Sequence, residues 1–348
     1  MERKPQTAPT ERELVALART RLGSLLPKRW SLEDAAAGPR EDAALTISAP
    51  DGKSARLVVE AKSQIDAKSV PLLVDRLAPV RPAIVAAGYL SPRAREALAE
   101  ADISFVDATG NLLVLLEEPG LSVRANGEDR DPYRMPDRPT TGMRGGPAAR
   151  VARALADRRP PWRMRDLAEV AGTSLGSAAR TVDFLDREAL LKRDDTIIDV
   201  DWAGVLRRWA DDYELGRKRR VVPALVGRGV ESIEPALRAS DLTYAVSGSL
   251  AAQLFVQEAD ARLGLVYAED VEALLATVAG RETDGPSNLL VIQPTDDTPY
   301  LRAQEQRGVR YAALSQVVAD LLVGSGRMPQ EGEALLRWMA DNEGEWRT

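Results

Sequence analysis

The chain has 348 residues, contains neither cysteine nor histidine, and carries 47 basic against 53 acidic side chains, a net charge of −6. The missing residue types exclude disulfides, thiolate and Ser-His-Asp nucleophiles, and zinc sites built on His or Cys; any metal would be held by carboxylates, which favours Mg²⁺ or Mn²⁺. This length predicts two or three domains, and the lack of an apolar run near about 20 residues or of a signal-peptide core predicts a cytoplasmic protein.

Residues 1–125 predict an α/β domain built on a mixed sheet. Thr10 opens a helix, because Glu13 stands three residues later at the spacing of a capping box. The dipeptide Asp51-Gly52 is a strong hairpin signal between two runs of alternating apolar residues. Periodicity predicts strands over 43–50, 55–62, 83–87, 103–107 and 121–124 and helices over 70–77 and 92–100. Such a series is typical of an α/β sandwich.

Three polar residues stand at the ends of the predicted hairpin. Asp42 precedes its first strand, and Glu60 and Lys62 fall on one face at the end of the second. The order and spacing of these residues resemble those of the PD-(D/E)xK nucleases. The resemblance implies that Asp42 and Glu60 bind a divalent metal, Mg²⁺ if the domain is active, and that Lys62 orients the attacking water. A further carboxylate would come from Glu11 or Glu13.

The rest of this region extends the resemblance. Many such domains serve only for DNA binding or dimerisation when attached to regulators, so we expect a non-catalytic domain. The segment 89–111 is similar to one in regulators that pair a nuclease-like domain with a winged helix. Within it, Asp107, Gly110 and Asn111 predict a tight turn with the glycine at positive φ. From 126 to 147, Gly and Pro predict a linker whose arginine-rich end we interpret as a tether rather than a DNA contact.

Residues 148–215 predict a winged helix-turn-helix. Gly172 accepts the left-handed conformation that a sharp turn before the third helix needs. Thr173 or Ser174 then caps this third helix. The helices are expected over 149–157, from about 164 to 170, over 175–189 and over 202–213, and the wing hairpin over 191–200.

The third helix has the composition of a recognition helix. Short polar side chains near its start and arginines on its exposed face would reach base edges in the major groove, while wing cations would contact phosphate. Residues 144–193 hold eleven Arg or Lys and six Asp or Glu, a net of +5. A three-helix bundle for protein contacts is the alternative, but the turn and the basic wing together favour DNA. The predicted DNA-binding residues are Arg165, Ser174, Ser177, Arg180, Thr181, Arg187, Lys192 and Arg193.

Residues 216–348 predict an acidic α/β domain. It begins near a basic cluster at 217–220, but from 229 onward nineteen acids face nine arginines. Its alternating strands and helices resemble the C-terminal part of AbiEi-type antitoxins and a minimal nucleotidyltransferase. The resemblance implies that Gly248 and Ser249 form a phosphate-side turn. The next strand, 262–267, lacks the carboxylate pair of that enzyme family, so we expect the transferase activity to be absent.

These parts predict an α/β multidomain chain: a PD-(D/E)xK-like sandwich, a central winged helix-turn-helix and a nucleotidyltransferase-like last domain. The expected function is sequence-specific binding of double-stranded DNA by a homodimeric transcriptional regulator without a cofactor, whose acidic last domain offers a surface to a partner protein. One alternative is a Mg²⁺-dependent nuclease targeted by the winged helix. The other is an autoregulating antitoxin of a type IV toxin–antitoxin system.

Overall fold

A computed structural model describes residues 7–129, 131–133, 142–215, 219–238, 240–256 and 260–348. The chain divides into two compact units: the first comprises 1–141 with 186–189, and the second comprises 142–185 with 190–348. Each unit contains a seven-stranded sheet with helices, so the chain is a mixed α/β multidomain protein, as predicted. Within the described ranges, no helix has the length and apolar character needed to cross a membrane.

The first unit has seven strands whose order in the sheet follows their order in the chain. The three central strands run parallel, and every other neighbouring pair is antiparallel. Its elements are α1 (Glu11–Leu25), β1 (Ser31–Ala35), β2 (Ala43–Ser48), β3 (Ser54–Lys62), α2 (Val70–Leu77), β4 (Ala83–Ala87), α3 (Pro92–Glu100), β5 (Ser104–Asp107), β6 (Leu112–Leu116) and β7 (Leu121–Ala125).

Helices cover both faces of this sheet because its central strands alternate between two cores. Leu57 and Val59 of β3 join the apolar face of α1 in one core. Val58 joins the apolar residues of α2 and α3 in the other. The edge strand β1 was outside the predicted elements, because its sequence Ser-Leu-Glu-Asp-Ala carries two acids and is largely exposed. Only its register against β2 makes it a strand.

The predicted turn after β5 is present. Gly110 has a φ of +102°, which a residue with a side chain rarely adopts. The buried carboxylate of Asp107 accepts from the backbone N–H groups of Thr109 at 2.9 Å and of Asn111 at 3.0 Å. The turn is therefore closed by its own side chains, as its Asp, Gly and Asn residues predict. The predicted linker 126–147 lies partly outside the described residues, which omit 130 and 134–141.

The second unit begins with helices and continues into the second sheet. In the described part of this unit, two 3₁₀ turns lie between these elements, Val230–Ser232 and Thr298–Tyr300. Its elements are α4 (Gly146–Asp157), α5 (Met164–Val170), α6 (Leu175–Arg187), β8 (Leu191–Arg193), β9 (Ile197–Val200), α7 (Trp202–Asp212), β10 (Arg220–Val226), α8 (Ile233–Leu237), β11 (Tyr244–Ser247), α9 (Gly248–Ala252), β12 (Gly264–Ala268), α10 (Val271–Thr277), β13 (Gly280–Glu282), β14 (Leu289–Gln293), β15 (Gln304–Gln306), β16 (Val309–Tyr311), α11 (Leu314–Leu322), α12 (Met328–Asp341) and α13 (Glu343–Trp346).

The second sheet has the order β13-β10-β14-β12-β11-β16-β15, and β8 pairs with β9 in a separate two-stranded ribbon. Strand β10 was not among the predicted elements. It contains Pro223, and proline within an apolar run usually argues against a paired strand. Here β10 pairs antiparallel with β14 from Arg220 to Ala224, and the shorter β13 joins it only from Ala224 onward. Pro223 therefore lies outside the part of β10 that pairs with β13.

Helix α4 is packed into the same hydrophobic core as the second sheet. Its Arg153 is fully buried and donates to Ser315 Oγ at 3.2 Å and to the backbone carbonyls of Thr298 and Leu301. Burial lowers the pKa of Arg153 to about 10. Next to it, at the C-terminal end of α4, Arg347 donates to the backbone carbonyls of Leu155 and Ala156. The boundary predicted between 215 and 216 thus lies inside one compact unit.

Candidate nucleic-acid interface

The turn between α5 and α6 has the geometry that its sequence predicts. Gly172 has a φ of +60°, and the backbone N–H of Thr173 donates to the carbonyl of Ala168 at 3.0 Å. The Oγ of Ser174 accepts the N–H of Ser177 at 3.2 Å, which satisfies one of the unpaired donors at the start of α6. A Cβ at Gly172 would also lie 3.0 Å from Nη1 of Arg150. Conformation and space therefore both favour glycine there.

Three polar residues form a row along α6, which we call the Ser-Ser-Arg row: Ser174, Ser177 and Arg180. Ser174 and Arg180 are exposed and Ser177 is half-buried. The Ser174 hydroxyl donates to Ser177 Oγ at 3.0 Å, and Nη2 of Arg180 donates to the same oxygen at 3.1 Å. The buried side of α6 carries Ala178 and Val182 in the core. Residues spaced by three thus present hydroxyls and a guanidinium together.

Two predicted contact residues on α6 have other surroundings. Thr181 is buried, and its hydroxyl donates to the backbone carbonyl of Ser177 at 3.0 Å. Threonine inside a helix commonly bonds to the carbonyl four residues earlier, and this engagement makes Thr181 unsuited to contact a base. Its prediction as an exposed residue was wrong. Arg187 lies in the last turn of α6 and is half-buried.

The ribbon of β8 and β9 is not basic. Nη2 of Arg193 lies 2.7 Å from Asp183 on α6, and Nζ of Lys192 lies 3.5 Å from Asp199 on β9. Residues 191–200 contain two basic and three acidic side chains. The prediction of a basic wing was therefore wrong, because strand pairing and packing bring acids beside both Lys192 and Arg193. The ribbon also pairs with the segment before α5, where Trp162 and Ile197 exchange two backbone hydrogen bonds of 2.9 Å.

Much of the positive charge between 144 and 193 is engaged by the fold. Ion pairs join Arg144 to Asp212, Arg150 to Asp297, Arg159 to Glu343 and Arg193 to Asp183, and Arg153 is buried. In the described part of this stretch, four exposed arginines have no carboxylate within ion-pair distance: Arg158, Arg163, Arg165 and Arg180. Three of these four lie on α6 or at the start of α5. The charge available to a phosphate therefore lies mainly at the start of α5 and on α6.

The basic cluster predicted at 217–220 falls partly outside the described residues, which exclude Arg217 and Lys218. Arg220 forms an ion pair with Glu272 at 2.8 Å. Nη1 of Arg219 donates to the hydroxyl of Tyr213 at 2.9 Å. The two described members of the cluster thus have different environments.

The first unit brings the predicted nuclease-like residues together. Asp42 Oδ2 accepts the backbone N–H of Ala61 at 2.8 Å, which places this carboxylate beside the end of β3. Nζ of Lys62 lies 3.1 Å from Oε1 of Glu60 and 3.5 Å from Oε1 of Glu11. The other candidate acid on α1, Glu13, instead closes the capping box with Thr10. Glu11 is thus the nearer of the two proposed additional carboxylates.

Arg76 joins this cluster and was not among the predicted site residues. Its Nη2 pairs with Oε1 of Glu60, the oxygen that Lys62 also contacts, and the Glu60 side chain is only 6% exposed. Two cations therefore satisfy the buried carboxylate that a metal would need. No group of three Asp or Glu side chains suited to a metal ion is found within the described ranges. These residues do not fit a Mg²⁺ site, because the donor set is already neutralised by an arginine and a lysine.

The predicted phosphate-side turn in the last part of the chain is buried. Gly248 has a φ of +61°, and a Cβ there would lie 3.2 Å from Cβ of Leu265. Ser249 is 6% exposed and its hydroxyl donates to Glu331. The Ser249 hydroxyl is thus already engaged by a carboxylate of this chain.

Comparisons with family models, with curated proteins and with solved structures return no match for this chain. Its function is therefore argued from the geometry above.

Proposed function

We propose that this protein is a sequence-specific regulator that binds double-stranded DNA through α6. The observation that carries the proposal is the Ser-Ser-Arg row, together with the exposed arginines Arg163 and Arg165 at the start of α5. An α-helix fits the major groove of B-DNA, where serine hydroxyls and an arginine guanidinium can read base edges. The helix-turn-helix arrangement places such a row at the start of the recognition helix.

Two members of the row, Arg180 and Ser177, have separate roles in this proposal. Arg180 exchanges its hydrogen bond to Ser177 for the O6 and N7 atoms of a guanine, the commonest specific contact in the major groove. Ser177 then accepts or donates to the neighbouring base. Arg163 and Arg165 contact phosphates and set the position of the helix without reading sequence. The ribbon supplies less charge than a basic wing would.

The remaining parts follow from the same proposal. The α4–β9 segment acts as a winged helix-turn-helix, and the second sheet with its helices acts as an AbiEi-like domain that shares its core with α4. The first unit is a nuclease-like domain that assists DNA binding or dimerisation, because Arg76 and Lys62 already neutralise Glu60. The protein binds as a homodimer to a two-fold or repeated site.

A selection of bound fragments from randomised DNA, followed by gel-shift titration, tests the DNA-binding proposal. We expect one enriched site, and we expect Arg180→Ala to weaken binding to it by about 1–3 kcal/mol with little effect on random DNA. Arg281→Ala is the matched control, since this exposed arginine lies on β13. No enrichment, or an equal loss in both variants, would overturn the proposal.

A Mg²⁺-dependent nuclease is the second candidate, because Asp42, Glu60 and Lys62 lie together; it would require Arg76 to leave Glu60 before that carboxylate could bind a metal. Incubation of plasmid DNA with the full chain and Mg²⁺ or Mn²⁺ tests it, with Glu60→Gln as the control. Cleavage that the control loses would support the nuclease. An intact plasmid together with gel shifts that survive EDTA would exclude it.

An antitoxin role would add neutralisation of a toxin to the same DNA binding, and co-expression with a neighbouring toxin gene tests that addition.

A further inference from the structure

A cavity of about 390 Å³ opens at the start of α4 in the second unit. Its size falls in the range of small-molecule sites. It lies between the first turn of α4, the end of α7, the loop before the 3₁₀ turn Thr298–Tyr300, and α11. Its lining includes Trp209, Tyr213, Arg219, Asp296 and Gln316, together with the charged residues Arg144, Asp212 and Glu214. Trp209 and Gln316 are each 1% exposed, so part of the wall is a rigid interior surface.

Arg219 supplies a cation to one wall. Its Nη1 donates to the Tyr213 hydroxyl at 2.9 Å and to the carbonyl of Leu215 at 3.4 Å, and its guanidinium lies 5.3 Å from the centre of the Tyr213 ring. Within the described residues, it forms no ion pair with a carboxylate, whereas the adjacent Arg220 pairs with Glu272. A guanidinium has five N–H donors, so most donors of Arg219 remain for an anionic group.

Gln316 supplies an acceptor. Its Nε2 donates to Asp320 at 2.9 Å and to the Tyr213 hydroxyl at 3.1 Å. This amide orientation is required, because Asp320 is a fully buried carboxylate and needs donors around it. The amide oxygen of Gln316 accepts no hydrogen bond from any residue in the described part of the chain. This oxygen is therefore available at the cavity wall to an N–H or O–H group of a ligand.

Asp296 supplies a negative charge at the mouth. It is exposed, and its Oδ2 lies 3.0 Å from the position that a Cβ would take on Gly146. Burial raises the pKa of Asp296, but hydrogen bonds from Thr298 and the charges of Arg150 and Arg219 outweigh this and lower it. The wall also carries Arg144 and Asp212, which pair with each other at 3.6 Å, and Glu214. To these Arg219 adds a cation, Asp296 an anion and Gln316 a free acceptor.

We propose that this cavity binds a small zwitterion of the amino-acid class. The carboxylate of the ligand pairs with Arg219, and its ammonium group donates to Gln316 Oε1 and to Asp296. A ligand with only an anionic group would leave the acceptor of Gln316 unsatisfied and place a second negative charge near Asp296. A zwitterion satisfies all three groups at once, and mixed signs in the wall select it over a plain acid or a plain amine.

A peptide bond, an ion pair and one close approach link the cavity to the turn before α6 within the second unit. Asp297 follows Asp296 and forms an ion pair with Arg150 on α4. Nη1 of Arg150 in turn lies 3.0 Å from the Cβ position of Gly172. A ligand held by Asp296 therefore acts on the residues that position α6. We infer that the zwitterion is an effector that changes the affinity for DNA, and this role rests on the proposed function.

Calorimetric titration of the full chain with the twenty free amino acids tests the binding itself, without DNA. We expect at least one to bind, and we expect its N-acetyl form and its amide form each to bind about 10- to 100-fold more weakly. Inorganic phosphate is included as an anion-only probe. The proposal is overturned if no amino acid binds, or if phosphate binds as tightly as the amino acid with the highest affinity.

Variants then assign the contacts. Arg219→Gln and Asp296→Asn should each weaken binding of the selected amino acid about 10-fold or more, whereas the control Arg220→Gln should bind like the native chain. Asp296 is exposed, so its variant also serves if Arg219→Gln unfolds, which thermal melting reveals. Equal affinity in all variants would overturn the site. A gel shift with and without the selected amino acid then tests the effector role. If the protein binds no DNA, only this role fails and the binding site stands.

Discussion

The guanidinium of Arg76 on α2 pairs with the carboxylate of Glu60 on β3. The two residues are separated by 16 positions, and the Glu60 side chain is 6% exposed while that of Arg76 is 53% exposed. An acid in such surroundings is costly unless it is paired, and Arg76 together with Lys62 supplies the pairing. The relationship explains why a site that resembles a nuclease in sequence is filled by side chains of the chain itself.

Loss of Arg76 should destabilise the first unit. In Arg76→Met, Glu60 keeps only Lys62, and we expect the free energy of unfolding to fall by about 1–2 kcal/mol, less than for a fully buried pair because Arg76 is half-exposed. Urea unfolding of the full chain measures this. Arg19→Met is the control, since the Arg19–Asp34 pair is exposed on both sides and should contribute far less. Equal effects of the two substitutions would contradict the role given to Arg76.

Loss of Arg153 should destabilise the second unit more strongly. Arg153→Met leaves the carbonyls of Thr298 and Leu301 and the Ser315 hydroxyl without this donor inside the core. We expect a loss of about 3 kcal/mol or more, because each buried acceptor loses its partner. Thermal or urea unfolding followed by tryptophan fluorescence measures it. The exposed neighbour Arg158→Met should change little, and a stable Arg153→Met variant would show that α4 does not depend on this docking.

The salt dependence of DNA binding should separate the cations around α6. Arg163→Ala and Arg165→Ala should each lower the slope of log K against log salt by about 0.9. Arg193→Ala should leave the slope nearly unchanged, because Arg193 already pairs with Asp183 at 2.7 Å. Gel-shift titrations at several salt concentrations give the slopes. A salt slope lowered by a full unit in Arg193→Ala would mean that the Arg193–Asp183 ion pair opens when DNA binds.

Asp320 should make the stability of the second unit depend on pH. Burial raises the pKa of Asp320 above its ordinary value of 3.8, against the hydrogen bonds from Ser247, Tyr267, Tyr213 and Gln316 that lower it. The folded state thus holds this proton more tightly than the unfolded state, and stability is lost as pH rises above that value. We expect Asp320→Asn to gain stability relative to the native chain between about pH 4 and pH 7. A stability difference between Asp320→Asn and the native chain that stays constant over this pH range would contradict the role given to Asp320.

The helices and strands predicted by periodicity were mostly confirmed, because they depend on residues a few positions apart. The turn at Gly172 and the cap at Ser174 follow from backbone conformation and from a hydrogen bond over three residues. The edge strand β1 and the proline-containing β10 were missed for the same reason. What makes them strands is pairing with another strand, β2 for β1 and β14 for β10, and the residues of the strand itself do not report that partner.

The candidate sites divide in the same way. The row on α6 could be predicted, since residues three apart lie on one face of a helix. The sequence also placed Asp42, Glu60 and Lys62 at the ends of one hairpin, where the structure finds them together. The sequence could not show that Thr181 bonds inside its helix, that Arg193 is paired with Asp183, or that Arg76 reaches Glu60. Such pairings require side chains from separate elements to meet.

The sequence by itself therefore determined the α/β character, the position of the turn before α6 and the polar face of that helix. The tertiary structure alone decided which charges are available. It buried Arg153, neutralised Glu60 and left Arg180 and Arg219 without a carboxylate among the described residues. Backbone conformation is set by neighbours in the chain, whereas the electrostatic state of a side chain is set by whatever the fold brings within a few ångströms of it.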